Sequence, residues 1–418
     1  MLISSFEGPE LVGVDKPRKT DGLEKLADSF AVGAYVTYAF CSMFSFLTIG
    51  LKELPIFGSF LAENYIQLTV VFAILAIMLR DRKESKIGAG MLAAAICLLV
   101  ISRKLSGVQN LLICVLILMA VRASSSIKLV KFLIWISLCV LIICFIYIKV
   151  LGYPECWDKL DGSYVSGLGT IHPNAYSILI FNSILSICFV SDRERHFLLL
   201  MICVLVGAFF AYFIQHSDTT LIAFIILIAA LITERFFPRI VEFVTRPNFF
   251  FVSLTALACL IALGMLAAAA YYSPDNDMLV SIDRLLHARI RLPNAVVREY
   301  GGYPLFGAEL KTWTGSIHGA RMKGIPMMML DSSYVRYALT AGMLVLACMM
   351  VIFIRAMRRL SFCSPQFLLW AAILIMIAYF VMEYYPSNLC FNCTIPFLAY
   401  GLEPSQSADR WHGIQGKQ

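Results

Sequence analysis

Apolar runs of close to twenty residues recur along nearly the whole chain, and they dictate what it can fold into. A hydrocarbon layer about 30 Å thick is crossed by roughly 20 helical residues, and backbone polar groups inside it must be satisfied within the protein. Measured against that length, the 418-residue sequence holds roughly twelve candidate spans, centred near Tyr38, Val70, Ala95, Val115, Leu138, Ile184, Leu205, Ile225, Leu260, Leu344, Ile373 and Ile395. Composition agrees: 60% of the residues are hydrophobic and 15% charged, with a mean hydropathy of +0.80. Soluble domains run nearer 45–50% apolar and about 25% charged. The expected fold is all-α, a polytopic transmembrane bundle of roughly 12 helices with one large extracytoplasmic loop.

Basic residues set the expected direction of threading. Alternate connections carry Arg80, Arg82, Lys83 and Lys86; Arg122, Lys128 and Lys131; Arg193 and Arg195; Arg235, Arg239 and Arg246; Arg355, Arg358 and Arg359. The intervening short loops hold few. Positive-inside bias then places both termini in the cytoplasm of a multi-pass plasma-membrane protein. The divisions follow: a cytosolic tail over 1–29, helices 1–9 over 30–270, an extracytoplasmic loop over 271–330, helices 10–12 over 331–401, and a cytosolic tail over 402–418. Residues 1–28 show no charged-apolar-small order of a secretory signal.

Several function classes are disfavoured. The net charge of +7 comes largely from topology-setting loops, and no basic run with interleaved aromatics suggests nucleic acid. Most of the cysteines lie in apolar spans, where they behave as small hydrophobes. Cys390 and Cys393 read as packed thiols or a structural bridge, and two cysteines alone do not make a metal site. No metal or cofactor is expected. Glu63, Asp218 and Glu383 fall near span ends, where reaching water is cheap, so an ion pathway through the bundle has little to run on.

The long loop carries the functional signal. It holds Arg284, His287, Arg289, Arg291, Arg298, Lys311, His318, Arg321 and Lys323. A guanidinium offers a planar fork of donors that matches phosphate. If 281–292 is one helix, Arg284, His287 and Arg291 share a stripe while Arg289 points elsewhere. With Asp283 the principal acid nearby, these arginines favour an external anion. The run Gly167-Leu-Gly-Thr-Ile-His172-Pro173-Asn174 reads as a helix start, with Pro173 fixing the backbone and Asn174 as cap. His172 is either incidental to that start or an acid/base group. Asp331-Ser332-Ser333-Tyr334 opens a later span; Asp331 is either a helix cap or a general base beside the arginines. His216-Ser217-Asp218-Thr219-Thr220 makes a tight turn between spans.

Together these stretches resemble the Wzy-type polysaccharide polymerases and, more distantly, the O-antigen ligases. The likeness rests on the number of spans, the Gly-x-x-His-Pro-Asn run ending at Asn174, the segment from Arg289 to Leu292 leading to Pro304-Leu-Phe306-Gly307, and Asp331-Ser-Ser-Tyr334 followed by Gly342. The family often has Asp-Asn-Ser-Tyr at this last place, and this chain carries Ser332 instead of the asparagine. Where the family tends to have Ser-Arg-Thr, this chain reads Ser217-Asp218-Thr219, without the arginine.

The resemblance implies a GT-C-like membrane glycosyltransferase on the outer face. It would polymerise undecaprenyl-diphosphate-linked oligosaccharide repeat units without a metal. Arg289 and Arg291, with Arg284 or Arg298, would hold the diphosphate. Asp331 would take the acceptor proton, with His172 as the second candidate. Trp313, Tyr334, Tyr300 and Tyr303 would stack on sugar faces. The lipid bilayer, a chain-length regulator and a flippase are the implied partners. A ligase using another acceptor, or a flippase moving the same lipid-linked oligosaccharide, are the alternatives.

Overall fold

The computed structural model describes residues 22–44, 47, 54, 58–79, 106–122, 125–152, 157–160, 163–166, 168, 170, 173–308, 330, 332–363, 366–383 and 388–402. Among these the chain is a helical bundle: α1 (Gly22–Phe44), α2 (Gly58–Leu79), α3 (Ser106–Ala120), α4 (Ser126–Phe145), α5 (Pro173–Val190), α6 (Phe197–Phe209), α7 (Asp218–Phe236), α8 (Pro238–Val244), α9 (Pro247–Tyr271), α10 (Asp277–Leu285), α11 (Arg291–Glu299), α12 (Ser333–Thr340), α13 (Met343–Cys363) and α14 (Phe367–Met382). The segments Gly58–Leu79, Ser126–Val150, Phe197–Ile214, Asp218–Phe236 and Pro247–Tyr271 are long and apolar enough to cross a membrane. Their outward side chains match that solvent: Trp135, Ile142 and Phe145 on α4, Leu198, Ile202 and Phe209 on α6, and Leu260 and Leu263 on α9 are exposed. This is a membrane protein.

Without a hydrophobic drive between helices in lipid, close approach depends on small residues. On α1, Ala27, Ala31, Ala34 and Tyr38 form a buried stripe at helical spacing. Gly207 of α6 does the same for its neighbours. A methyl group there would lie 2.6 Å from the Phe224 ring and 2.7 Å from Ile184.

Among the described residues, basic connections close one end of the bundle with ion pairs. Arg122 pairs with Glu24 at 3.0 Å, joining the end of α3 to the start of α1. Arg193, after α5, forks onto Glu234 near the end of α7. From there α7 runs back to Thr220, whose hydroxyl meets Tyr379 near the end of α14, so the other end of the bundle holds the turns expected to carry chemistry.

Several sequence expectations need correction. The span centred near Leu344 is broken, with α12 and α13 separated at Ala341–Gly342. The span centred near Ile395 is not an α-helix: it crosses the core as 3₁₀ turns at Leu389–Phe391 and Ile395–Gly401. The all-α expectation holds for the bundle itself, to which a short antiparallel hairpin, β1 (Trp157–Leu160) and β2 (Ser163–Ser166), is appended. The span centred near Ala95 lies outside the described residues.

Irregular backbone at membrane depth is tolerated only when protein groups satisfy it. For the first part of the 3₁₀ segment, Asn182 of α5 does this. Its side-chain oxygen accepts from the Cys393 amide at 2.8 Å, and its nitrogen donates to the Cys390 carbonyl at 3.3 Å. Ser126 donates to Pro396 O and Arg359 to Tyr400 O. Cys390 and Cys393 are free, buried thiols, so the reading as packed thiols holds and the bridge does not form.

The break between α12 and α13 has a local cause. The bent segment Pro304–Ala308 lies against it: Met343 N donates to Pro304 O at 3.0 Å, and Ala308 N donates to Leu339 O at 2.8 Å. Gly307 and Gly342 sit at φ +83 and +96, where a side chain is strained. They also touch: a Cβ on Gly342 would lie 2.4 Å from the Gly307 nitrogen. The two glycine motifs singled out in the sequence form one clasp, which fixes the arginine loop to the head of α13.

Candidate functional site around the end of α14

α14 ends at Met382, leaving its last carbonyls without helical partners. Arg289 meets them. Its Nε donates to Met382 O at 3.0 Å, its Nη1 to His287 O at 3.1 Å, and its Nη2 stands 3.7 Å from Glu383 Oε1. A cation at a helix C-terminus is favoured by the helix dipole as well as by these bonds.

Arg289 reaches this place because the chain reverses before it. His287 and Ala288 are both left-handed, at φ 50 and 64. Such residues cost on the order of 1–3 kcal/mol each. The offset comes from Asp283, whose buried carboxylate accepts from Ile290 N at 2.9 Å and Arg291 N at 2.8 Å and so caps α11. The condition of a single helix over 281–292 is therefore not met: the segment is two helices with a reversal, and the stripe of Arg284, His287 and Arg291 does not form. The capping carboxylate prefers two amide donors at a helix start to continued helix.

Glu383 is the hub. It is 3% exposed, yet Asn174 Nδ2 donates to its Oε1 at 2.7 Å and Ser333 Oγ donates to its main-chain oxygen at 2.8 Å. The site thus joins the start of α5, the turn before α11, the start of α12 and the end of α14. One turn earlier on α14, Tyr379 meets Thr220, which bonds Ser217 at 2.9 Å, so the His216–Thr220 turn adjoins it too. Both α4 and α6 finish in π turns, Ile146–Val150 and Phe210–Ile214, and the Phe210 ring lies 5.8 Å from Tyr176 of α5. Such turns recur at functional sites.

Next to these residues sit buried polar groups that bond nothing among the described residues: both side-chain atoms of Gln215, Ser177 Oγ and Ser332 Oγ. Buried polar atoms are ordinarily satisfied; Tyr35 Oη and Ser137 Oγ, elsewhere in the bundle, are also without a partner among the described residues.

The sequence candidates separate as follows. Arg289 is at the hub, while Asn174 and Ser333 bring the His-Pro-Asn and Asp-Ser-Ser-Tyr motifs to it. Arg284 and Arg291 are exposed and make no ion pair among the described residues. Arg298 is turned to Tyr272 O at 2.9 Å, on the end of α9. Tyr334 is no sugar platform: its ring is buried against Phe380, and its hydroxyl points to Ile377 O at 3.4 Å. Tyr303 donates to Leu266 O at 2.8 Å, and burial raises its phenol well above the usual range, so it stays a neutral donor. His172, Trp313 and Asp331 lie outside the described residues. Among the described residues no His, Cys, Asp and Glu cluster could hold a metal ion.

Sequence reasoning missed Glu383, reading it as an acid with cheap access to water. Its signal was its place directly after an apolar run of helix length, at the same end as the arginine loop. Comparison of the chain with protein-family models, with curated proteins and with solved structures finds no match.

Proposed function

We propose that the protein is a membrane glycosyltransferase that joins lipid-diphosphate-linked oligosaccharide repeat units into a surface polysaccharide. The observation that carries this reading is the convergence on Glu383 of three separate sequence motifs, which sets Arg289 beside a buried acid at the end of α14. Breaking a glycosidic bond to a diphosphate leaving group chiefly requires that its growing charge be stabilised. A guanidinium fixed in a partly dry site does this well. Arg289 would hold the diphosphate, with exposed Arg284 and Arg291 drawing the anion toward the loop. Asp331 or His172 would take the proton of the acceptor hydroxyl, since each stands two residues in sequence before a motif residue at the hub, Ser333 or Asn174. A GT-C-like architecture, an outer-face site and cytoplasmic termini belong to the same proposal. The clustering of Arg122, Arg193 and Arg359 at the opposite end supports that orientation.

The test is polymerisation by purified protein in detergent, supplied with its native undecaprenyl-diphosphate repeat unit and with EDTA present. A ladder of products supports the proposal. Folded protein that yields no ladder but transfers preformed glycan to another acceptor is a ligase. Protein that only moves the lipid-linked unit across vesicles is a flippase.

A further inference from the structure

We propose that α10 and the Leu305–Phe306 turn are inserted into the bilayer interface, so that the arginine loop lies on the membrane rather than standing off it. This placement requires that α9 cross a membrane and is independent of the transfer reaction proposed above.

The two short helices of the loop, nine residues each, expose opposite kinds of surface. Around α11 the outward positions are Arg291, Ala295, Arg298 and Glu299, at the spacing of one helical face. That face is suited to water. On α10 the outward stripe is Met278 and Leu285, 71% and 77% exposed, with half-buried Ile282 between them. Steps of four and then three residues put all three on one side, while Asp283 turns inward and Arg284 lies on a flank. A helix with protein on one side, apolar side chains on another and an arginine at the flank has the form of an interfacial helix. Leu305 and Phe306 add a second apolar exposure, at 57% and 70%. Single exposed apolar residues are ordinary, whereas several of them in one loop call for a partner.

Lipid is that partner because the loop is bonded to α9 at bilayer depth. Tyr303 Oη donates to Leu266 O at 2.8 Å, Asn294 Nδ2 to Ala269 O at 2.7 Å, and Arg298 Nη2 to Tyr272 O at 2.9 Å. α9 has 25 residues, so it runs about 37 Å against a hydrocarbon layer of about 30 Å. Centred in that layer it has about 4 Å to spare at each end, whereas Leu266 lies about 7.5 Å inside its end. The Tyr303 bond therefore falls at the hydrocarbon edge, and α10 begins only six residues beyond Tyr271. Each apolar exposure also follows a lipid-facing row. α9 exposes Leu260, Leu263 and Tyr271 up to its end, and α13, packed beside it, exposes Leu344 and Val351. Leu305 O accepts from Leu344 N at 3.2 Å, which joins the turn to that second row. A loop held at this level keeps its arginines at the height of lipid phosphates, so an anionic lipid reaches them sideways without leaving the bilayer.

The experiment uses the full-length protein in nanodiscs of phosphatidylglycerol and phosphatidylcholine. The photocrosslinking amino acid benzoylphenylalanine is placed at Leu285, at Phe306 or at Ala295, and the products of illumination are identified by mass spectrometry. A leucine or phenylalanine side chain that gains full burial favours the inserted state by more than about tenfold, so lipid adducts at 285 and 306 should exceed those at 295 by about tenfold. Equal adducts at all three positions, or none at 285 and 306, overturn the insertion. So does a crosslink from 285 or 306 to a second copy of the chain or to a distant segment of the same chain. If a variant does not fold, Met278 replaces Leu285 on the same stripe, or Leu305 replaces Phe306, with the same expected and overturning results.

Discussion

Replacing Asn182 tests how a non-helical segment survives at membrane depth. The side chain is fully buried and bonds two backbone groups of the 3₁₀ segment, the Cys393 amide at 2.8 Å and the Cys390 carbonyl at 3.3 Å. Its orientation is unambiguous, because an amide N–H can only donate and a carbonyl can only accept. Two magnitudes compete. Side-chain hydrogen bonds between membrane helices contribute only about 0.6 kcal/mol on average, since the separated helices find other partners. A buried backbone group left unsatisfied costs about 1–3 kcal/mol. The second should win here, because neither backbone group lies in an α-helix that could re-pair it. Asn182→Leu, of similar volume, should then lose about 2–4 kcal/mol, read by unfolding in mixed micelles. Ser183→Ala on the same helix removes only a back-bond to Leu179 O and should lose less than about 1 kcal/mol. Equal losses in the two variants would falsify the account of Asn182 as the support of this segment.

The clasp and the reversal make separate predictions. Gly342→Ala drives a Cβ to 2.4 Å from both Gly307 N and Leu305 O, so it should lower stability by more than about 2 kcal/mol and free the arginine loop to protease. A wild-type digestion pattern would mean the clasp is dispensable. Asp283→Ala removes the acceptor for the Ile290 and Arg291 amides, and should speed hydrogen exchange across 286–300 by about tenfold or more while α4 and α7 exchange as before. No local change would show that the left-handed pair His287–Ala288 holds without its cap.

Much of the bundle is legible in sequence, because a span needs only length and apolarity. α2, α4, α6, α7 and α9 announce themselves in this way. The corrections come where a local interaction beats the periodic signal. The run around Ile395 is as apolar as a helix, and nothing in that run says that Asn182, more than two hundred residues away, will satisfy it in another form. The helix over 281–292 has the right spacing of arginines, but Asp283 caps the next helix instead. The motifs of the candidate site were visible one by one. Their meeting at Glu383 was not, since it depends on how α5, α12 and α14 pack, and on a bond such as Asn174 to Glu383 that spans most of the bundle sequence. Tyr334 shows the reverse error: an aromatic at a promising place whose burial assigns it to packing.

The most direct measurement places the chemistry at one end of the bundle. Polymerisation of the native repeat unit would be compared in Arg289→Lys and Arg239→Gln, the second an exposed arginine on α8 at the opposite end. Lysine keeps the charge at 289 but loses the fixed fork and its carbonyl contacts. The account predicts that Arg289→Lys loses the product ladder by about a hundredfold or more in rate while Arg239→Gln makes it as wild type does. A full ladder from folded Arg289→Lys would contradict the assignment of the site to the end of α14.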